Sequence, residues 1–157
     1  MKARLSYDRI SQHCERLPKA LLSLGDTPSS VLANTLINLV KLRVSQINGC
    51  AFCLAMHSHE ARKAGEAQIR IDVLSCWREA PCFNAQERAA LNWAETLTQL
   101  ASAPIDDAAF LEVKAQFNDA ALIELTAQIV AINGWNRVSA GFGFTPDVGE
   151  LHEPLSQ

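Results

Sequence analysis

Between Val31 and Ile47 the chain carries apolar residues on most sides of a helical wheel. Leu32, Leu36, Leu39, Val40, Val44 and Ile47 form the main stripe, and Ile37 and Leu42 add apolar surface elsewhere. A helix apolar around most of its circumference is buried, either in a bundle or at a subunit contact. The rest of the chain is built in the same style. Glycine is sparse, β-branched runs are short, and Ala, Leu, Glu, Gln and Arg dominate, so the expected fold class is all-α. Arg43 projects into the main apolar stripe. The preferred reading pairs it with a carboxylate; a substrate-facing guanidinium is the alternative.

Punctuation divides the sequence into helices. A Ser or Thr cap within Thr27-Pro28-Ser29-Ser30 opens the Val31–Ile47 helix. Asn48-Gly49 breaks it, and a second helix runs from about Cys50 to Ala64, with Gly65 just past its end. A short helix is expected around Asp72–Arg78, then a loop through Pro81. Asn84-Ala85-Gln86-Glu87 has the form of a capping box, and its helix reaches about Leu100. Pro104 intervenes before a helix over Asp106–Phe117. Asn118 caps the last long helix, with Leu122, Leu125, Ile129 and Ile132 at helical spacing, and the tail from Gly141 is expected to be irregular. Short loops favour one helical domain over residues 1–157. The apolar faces exceed what a lone bundle needs, which points to a homo-oligomer.

Charge and cysteine usage narrow the class further. The formal charge of -3 comes without a basic run, so nucleic acid is a poor partner. No stretch approaches the ~18 apolar residues of a membrane span. The five cysteines are an odd number, and no apolar leader follows Met1. A disulfide-stapled secreted domain is disfavoured; the expected setting is a reducing cytoplasm, with any pairing serving redox work.

The chemistry concentrates in Cys50-Ala51-Phe52-Cys53-Leu54-Ala55-Met56-His57. Positions i, i+3 and i+7 share a helical face, so Cys50, Cys53 and His57 line up along the first two turns. Glu60 continues the stripe, while His59 points to the surface. A thiolate is the nucleophile, the free thiol pKa is ~8.5, and a helix N-terminus favours negative charge. His57 can take the proton of Cys53 or hold its thiolate. Two cysteines so spaced can close a disulfide with little movement, one attacking and the other resolving. Two plainer readings compete. The cysteines can be small core residues, or half of a zinc site with His57 and with Cys76 or Cys82 as fourth ligand. The thioredoxin fold is excluded, because its CxxC follows a strand in an α/β pattern absent here.

The run Leu42-Arg43-Val44-Ser45-Gln46-Ile47-Asn48-Gly49-Cys50-Ala51-Phe52-Cys53, with Met56-His57 and Glu60 through Glu66, resembles the carboxymuconolactone decarboxylase superfamily. The likeness is to its alkylhydroperoxidase D-like (AhpD-like) branch. Trp77-Arg78-Glu79-Ala80-Pro81, Glu87 through Leu91 with Trp93-Ala94-Glu95, and Asn133-Gly134-Trp135-Asn136-Arg137 fit the same branch, so the resemblance spans about 30–140. It implies an all-helical, cofactor-free and metal-free bundle that assembles into trimers or hexamers. It also implies thiol-dependent peroxidase or disulfide-reductase activity on a peroxide or disulfide substrate, reset by an external dithiol or thioredoxin-like reductant. By resemblance Cys53 attacks, Cys50 resolves in a Cys50–Cys53 disulfide, and His57 is the histidine that follows.

Two positions depart from the best-studied members. Asn38 stands where they carry a glutamate, and Phe52 where they carry a second histidine. Neither an amide nor a phenyl ring relays a proton at neutral pH. Glu60 can orient His57 in place of the missing carboxylate, or can be a solvated helix glutamate. Glu95 and Glu124 are further candidates. Decarboxylase members work without the cysteine pair, so its retention argues for thiol chemistry. A redox-sensing or binding module with little turnover is the alternative, and a metal-binding helical protein is a third reading. Cys14, Cys76 and Cys82 read as buried or incidental thiols. Trp77, Trp93 and Trp135 read as core or interface anchors, and His13 and His152 as solvated.

Overall fold

The computed structural model describes residues 3–25 and 29–146. Those residues form eight α-helices and no strand: α1 Tyr7–His13, α2 Arg16–Gly25, α3 Asn34–Ile47, α4 Ala51–Lys63, α5 Gln68–Asp72, α6 Ala85–Thr98, α7 Asp107–Gln116 and α8 Asp119–Phe142. A single 3-10 turn, Leu74–Cys76, follows α5. Thr27, Pro28 and His152 lie outside the described residues.

α3 is the central helix, and both of its sides are buried. Leu36, Val40 and Val44 join Ala90 and Trp93 of α6 and Leu125, Ile129 and Ile132 of α8 in one core. Leu39 and Leu42, on the other side, meet Ala61 of α4, Leu74, Trp77, Phe83 and Leu91 in a second. This is why the segment is apolar around its circumference. Each fully buried Leu or Val side chain contributes about 1.5–3 kcal/mol relative to exposure.

The observed ends refine the expected ones. α3 begins at Asn34, after an Ala33 cap that makes no side-chain bond. Ser29 does not cap it; its Oγ accepts from the backbone N–H of Val31 (3.2 Å) and Leu32 (3.0 Å), making a turn that leaves Val31 exposed. The expected Asp72–Arg78 helix is instead α5, ending at Asp72, and the 3-10 turn. The capping box on α6 is present in both directions. Asp106 caps α7 and Asn118 caps α8. α8 continues through Phe142, past the expected start of an irregular tail, and ends at Gly143 with φ 72°.

α1 and α2 have no counterpart in the sequence reading. Ser6 caps α1. Pro18 falls in the first turn of α2, where a missing N–H costs no helical bond. α2 packs on α8 through small residues. A Cβ on Gly134 would sit 2.6 Å from Leu21 Cδ2, and one on Gly25 would sit 2.6 Å from Ala131 Cβ. Glycine inside a helix costs ~1 kcal/mol against alanine; here it admits Leu21 and lets the two helices close together.

Candidate active site

The site begins where α3 turns into α4. Gly49 takes φ 64°, a left-handed conformation that suits glycine, and the N–H of Cys50 donates back to Ser45 O at 3.0 Å. Cys50 is thereby set as the cap of α4 rather than its first residue, and its Sγ accepts from the N–H of Cys53 at 3.3 Å. Cys50, Cys53 and His57 are all buried, at 4%, 1% and 5% exposure, on one face of the helix start. One turn further, Glu60 Oε2 lies 2.7 Å from His57 Nδ1. That hydrogen bond, ahead of an opposing burial contribution, holds the Glu60 carboxyl below its ordinary value. With Nδ1 engaged, Nε2 is the ring nitrogen left for other chemistry.

The two thiols titrate as a pair. Cys50 is lowered from 9.0 to about 6, first by the hydrogen bond from the Cys53 thiol, against burial and with help from the Cys53 N–H, Ser139 and Asn136. Cys53 is raised, by that same bond to Cys50 and then by burial. Both directions describe one proton shared between two sulfurs. In the reduced pair it rests on Cys53, and the negative charge sits on Cys50 at the positive end of α4.

Access separates the sulfurs in the other direction. Cys53 lines a cavity of about 570 Å³, together with His57, Glu60, Met56 and Phe52; Cys50 is not among the lining residues. Two aromatic pairs stand in its walls. Tyr7 of α1 stacks on Trp135 of α8 with centroids 6.4 Å apart, and Phe52 meets Phe144 edge-on at 5.5 Å. Two ends of the chain thus close the space. Arg4 ties them, its N–H donating to Phe142 O (2.8 Å) and its Nη1 to Gly141 O (3.0 Å).

The polar wall behind the sulfurs comes from α8. The Cys53 thiol donates to Ser139 Oγ at 3.6 Å. Asn48 Nδ2 donates to Asn133 Oδ1 (3.0 Å) and Asn136 Oδ1 (2.9 Å), and Asn136 Nδ2 donates to Ser45 Oγ (3.1 Å). Ser45, Asn136 and Ser139 are buried. The network locks α8 against the turn that presents Cys50. Sequence reasoning singled out neither Ser139 nor Asn136 as site residues. A signal existed: the α8 stripe of Leu122, Leu125, Ile129 and Ile132 continues, at the same spacing, into Asn136 and Ser139. Polar residues in line with an apolar stripe need buried partners.

The other singled-out residues fall elsewhere. Arg43 pairs with a carboxylate, its Nε 2.6 Å from Glu95 Oε1; Trp77 Nε1 donates to the same oxygen at 2.8 Å, and Arg78 donates to Oε2. Glu95 is therefore committed to a cluster outside the site. Glu124 accepts from Gln128 Nε2 at 3.0 Å. Asn38 is half-buried on α3 and does not line the cavity, whereas Phe52 does. Cys76 and Cys82 are exposed rather than buried, and Cys14 is half-buried. His13 and His59 are exposed. Trp77 and Trp93 are core residues, but Trp135 belongs to the cavity wall. Among the described residues, no three His, Cys, Asp or Glu side chains are grouped to hold a metal ion, so the zinc arrangement with Cys76 or Cys82 is not formed.

Known proteins resemble this chain at two levels. The sequence pattern of the carboxymuconolactone decarboxylase family matches residues 16–96. The uncharacterized protein YdfG of Bacillus subtilis (strain 168) is 35% identical over 91% of this chain and 96% of its own length. A crystal structure from Agrobacterium tumefaciens superposes with a TM-score of 0.86 at 39% identity, over 94% of this chain and 99% of that one. That protein is described as of unknown function and as a candidate antioxidant defence protein AhpD. The debrominase Bmp8, crystallised with a tribromopyrrole, shares the fold at a TM-score of 0.70 and 20% identity, over 87% of this chain and 70% of its own.

Proposed function

This chain belongs to the carboxymuconolactone decarboxylase family, in its AhpD-like branch, and on that premise we propose that it is a thiol-dependent peroxidase. The observation that carries the reading is the division of labour between the two sulfurs. Cys53 faces a cavity beside a histidine held by a carboxylate, and Cys50 waits behind it as a low-pKa thiol.

The steps balance with these groups, one solvent proton and one external reductant. His57 takes the proton of Cys53. The Cys53 sulfur attacks a peroxide oxygen, the O–O bond breaks, and the departing alkoxide takes the proton back as an alcohol. Cys53 is left as a sulfenic acid. The Cys50 thiolate then attacks the Cys53 sulfur; an S–S bond forms, and the sulfenic O–H leaves as hydroxide, which takes one proton from solvent to become water. An external dithiol or thioredoxin-like protein returns two electrons and two protons. Its thiolate meets Cys53 on the cavity side, and Cys50 leaves as the thiolate at the positive end of α4.

Homo-oligomerisation, as a trimer or hexamer, belongs to the same proposal and is supported by exposed apolar side chains on α7 and α8. Leu111, Ile123 and Val130 stand at 63%, 70% and 52% exposure. A cytoplasmic location accords with thiol chemistry; among the described residues no helix is long and apolar enough to cross a membrane. A redox sensor with little turnover is the second reading, favoured by Phe52 on the cavity wall in place of a proton relay. Peroxide consumption with a dithiol reductant decides between them. Catalytic turnover lost in Cys53→Ser supports the peroxidase. One stoichiometric oxidation to a Cys50–Cys53 disulfide without turnover supports the sensor, and turnover that survives Cys53→Ser overturns both.

A further inference from the structure

The mechanism above leaves one buried polar group at the sulfur without a task. Ser139 is 2% exposed, yet it also borders the cavity, and its Oγ lies 3.6 Å from Cys53 Sγ. It sits on the last turns of α8, whose register against the α3–α4 turn is held by Asn48, Asn133, Asn136 and Ser45. A hydroxyl placed by such a network is preorganised, so it serves its partner with little reorganisation.

We infer that Ser139 is a catalytic residue, the hydroxyl that steadies the Cys53 thiolate at the moment of attack. A hydroxyl can reverse its role by rotation. While Cys53 is a thiol, its one proton is shared between Cys50 Sγ and Ser139 Oγ. When His57 removes that proton, the sulfur becomes an acceptor, and the Ser139 O–H turns to donate to it. No atom or electron is gained or lost in the turn; the hydrogen bond changes direction as the charge appears. This solves a difficulty specific to this site. The pair in its resting form keeps its charge on Cys50, and burial disfavours a second thiolate beside it. Cys53 needs a donor on its own side, and the main-chain N–H at residue 53 is already given to Cys50 Sγ. Ser139 and Asn136 both reach the Cys53 sulfur, and of the two Ser139 carries the hydroxyl free to turn, since Asn136 Nδ2 is given to Ser45 Oγ.

The inference rests on Cys53 being the attacking thiol, and its test avoids peroxide altogether. The full-length reduced protein is alkylated with iodoacetamide across a pH series, and modification of Cys53 is followed by peptide mass mapping. In Ser139→Ala the midpoint of Cys53 reactivity should rise by about one pH unit, slowing alkylation roughly tenfold at neutral pH. The high-pH plateau should stay within about twofold, since access is unchanged. Ser139→Thr keeps the hydroxyl and should keep the wild-type midpoint. A Ser139→Ala profile with an unmoved midpoint overturns the inference, as does a loss confined to the plateau or a midpoint in Ser139→Thr as high as that of Ser139→Ala. A wild-type chain that shows this Ser139 dependence but turns over no peroxide overturns the peroxidase and leaves the thiolate donor standing.

Discussion

Two buried polar clusters lie on either side of the central helix, and they behave differently. Around Glu95 three donors converge: one carboxylate oxygen takes Arg43 and Trp77, and the other takes Arg78. Burial pushes that carboxyl up, but the three donors together outweigh it and hold it below its ordinary value. Around Cys53 the proton is shared between two sulfurs, and the sulfur and His57 face a cavity. Both clusters contain ionisable groups shifted from their ordinary values. Perturbation therefore does not distinguish scaffold from site. Both also border a cavity, Glu95 and Arg78 one of about 350 Å³, Cys53 and His57 one of about 570 Å³. The difference is what each group has left to give: the Glu95 carboxylate is held by three donors, whereas Cys53 carries a proton it can yield and a sulfur that faces its cavity.

The sharpest way to break this contrast is Glu95→Ala. It strands Arg43 and leaves the Trp77 N–H unpaired, and should cost about 3 kcal/mol or more in urea unfolding. Alkylation of Cys53 in the molecules that remain folded should be unchanged. The same cluster predicts an acid limb. The folded carboxyl lies below its unfolded value near 4.5, so its contribution is complete above that pH and is lost as pH falls through the folded value. Glu95→Gln should flatten that limb; a stability profile as steep as wild type would show that the limb has another source.

The sulfur pair is read by ionisation instead, where its change should be large. In reduced wild-type protein, thiolate absorbance should rise with a midpoint at about 6, from Cys50. Cys53→Ala removes the largest cause of that shift, and the midpoint should move back toward 9.0. A midpoint that stays put would locate the stabilisation in the N–H of residue 53 and the helix end. Glu60→Gln should have the smallest effect on stability, under ~1 kcal/mol, because the Glu60 side chain is 48% exposed and its pairing with His57 is screened. Peroxide turnover should still fall several-fold, roughly threefold to tenfold, since the amide still accepts from Nδ1–H but lacks the charge that steadies the protonated imidazole. A stability loss larger than the rate loss would move Glu60 into the scaffold.

Much of the bundle was legible because its signals are local. The Asn84–Glu87 capping box depends on four consecutive residues, and the structure forms it as the spacing predicts. The burial of α3 follows from its apolar circumference, and Arg43, charged within that stripe, meets a carboxylate. α1 and α2 were not legible. They are short, and α2 is held by Leu21 against Gly134 and by Gly25 against Ala131, contacts between residues far apart in the chain. Ser29 misled for a related reason: its hydroxyl serves a turn three residues early, so α3 begins at Asn34. The cavity was illegible as well. Its aromatic walls pair Tyr7 with Trp135, and Phe52 with Phe144.

The sequence by itself determined that Cys53 and His57 share a helical face, because a four-residue spacing on a helix places them there; Cys50 joins them from the extended cap position. It determined the all-α class through composition and periodicity. The His57–Glu60 bond is local too, three residues apart on α4. Only the tertiary structure decided which sulfur meets the cavity and that Ser139 stands against Cys53. Those outcomes depend on where α8 crosses the start of α4. That crossing is set by packing between distant helices and by the Asn48–Asn136 network, and no local spacing encodes it.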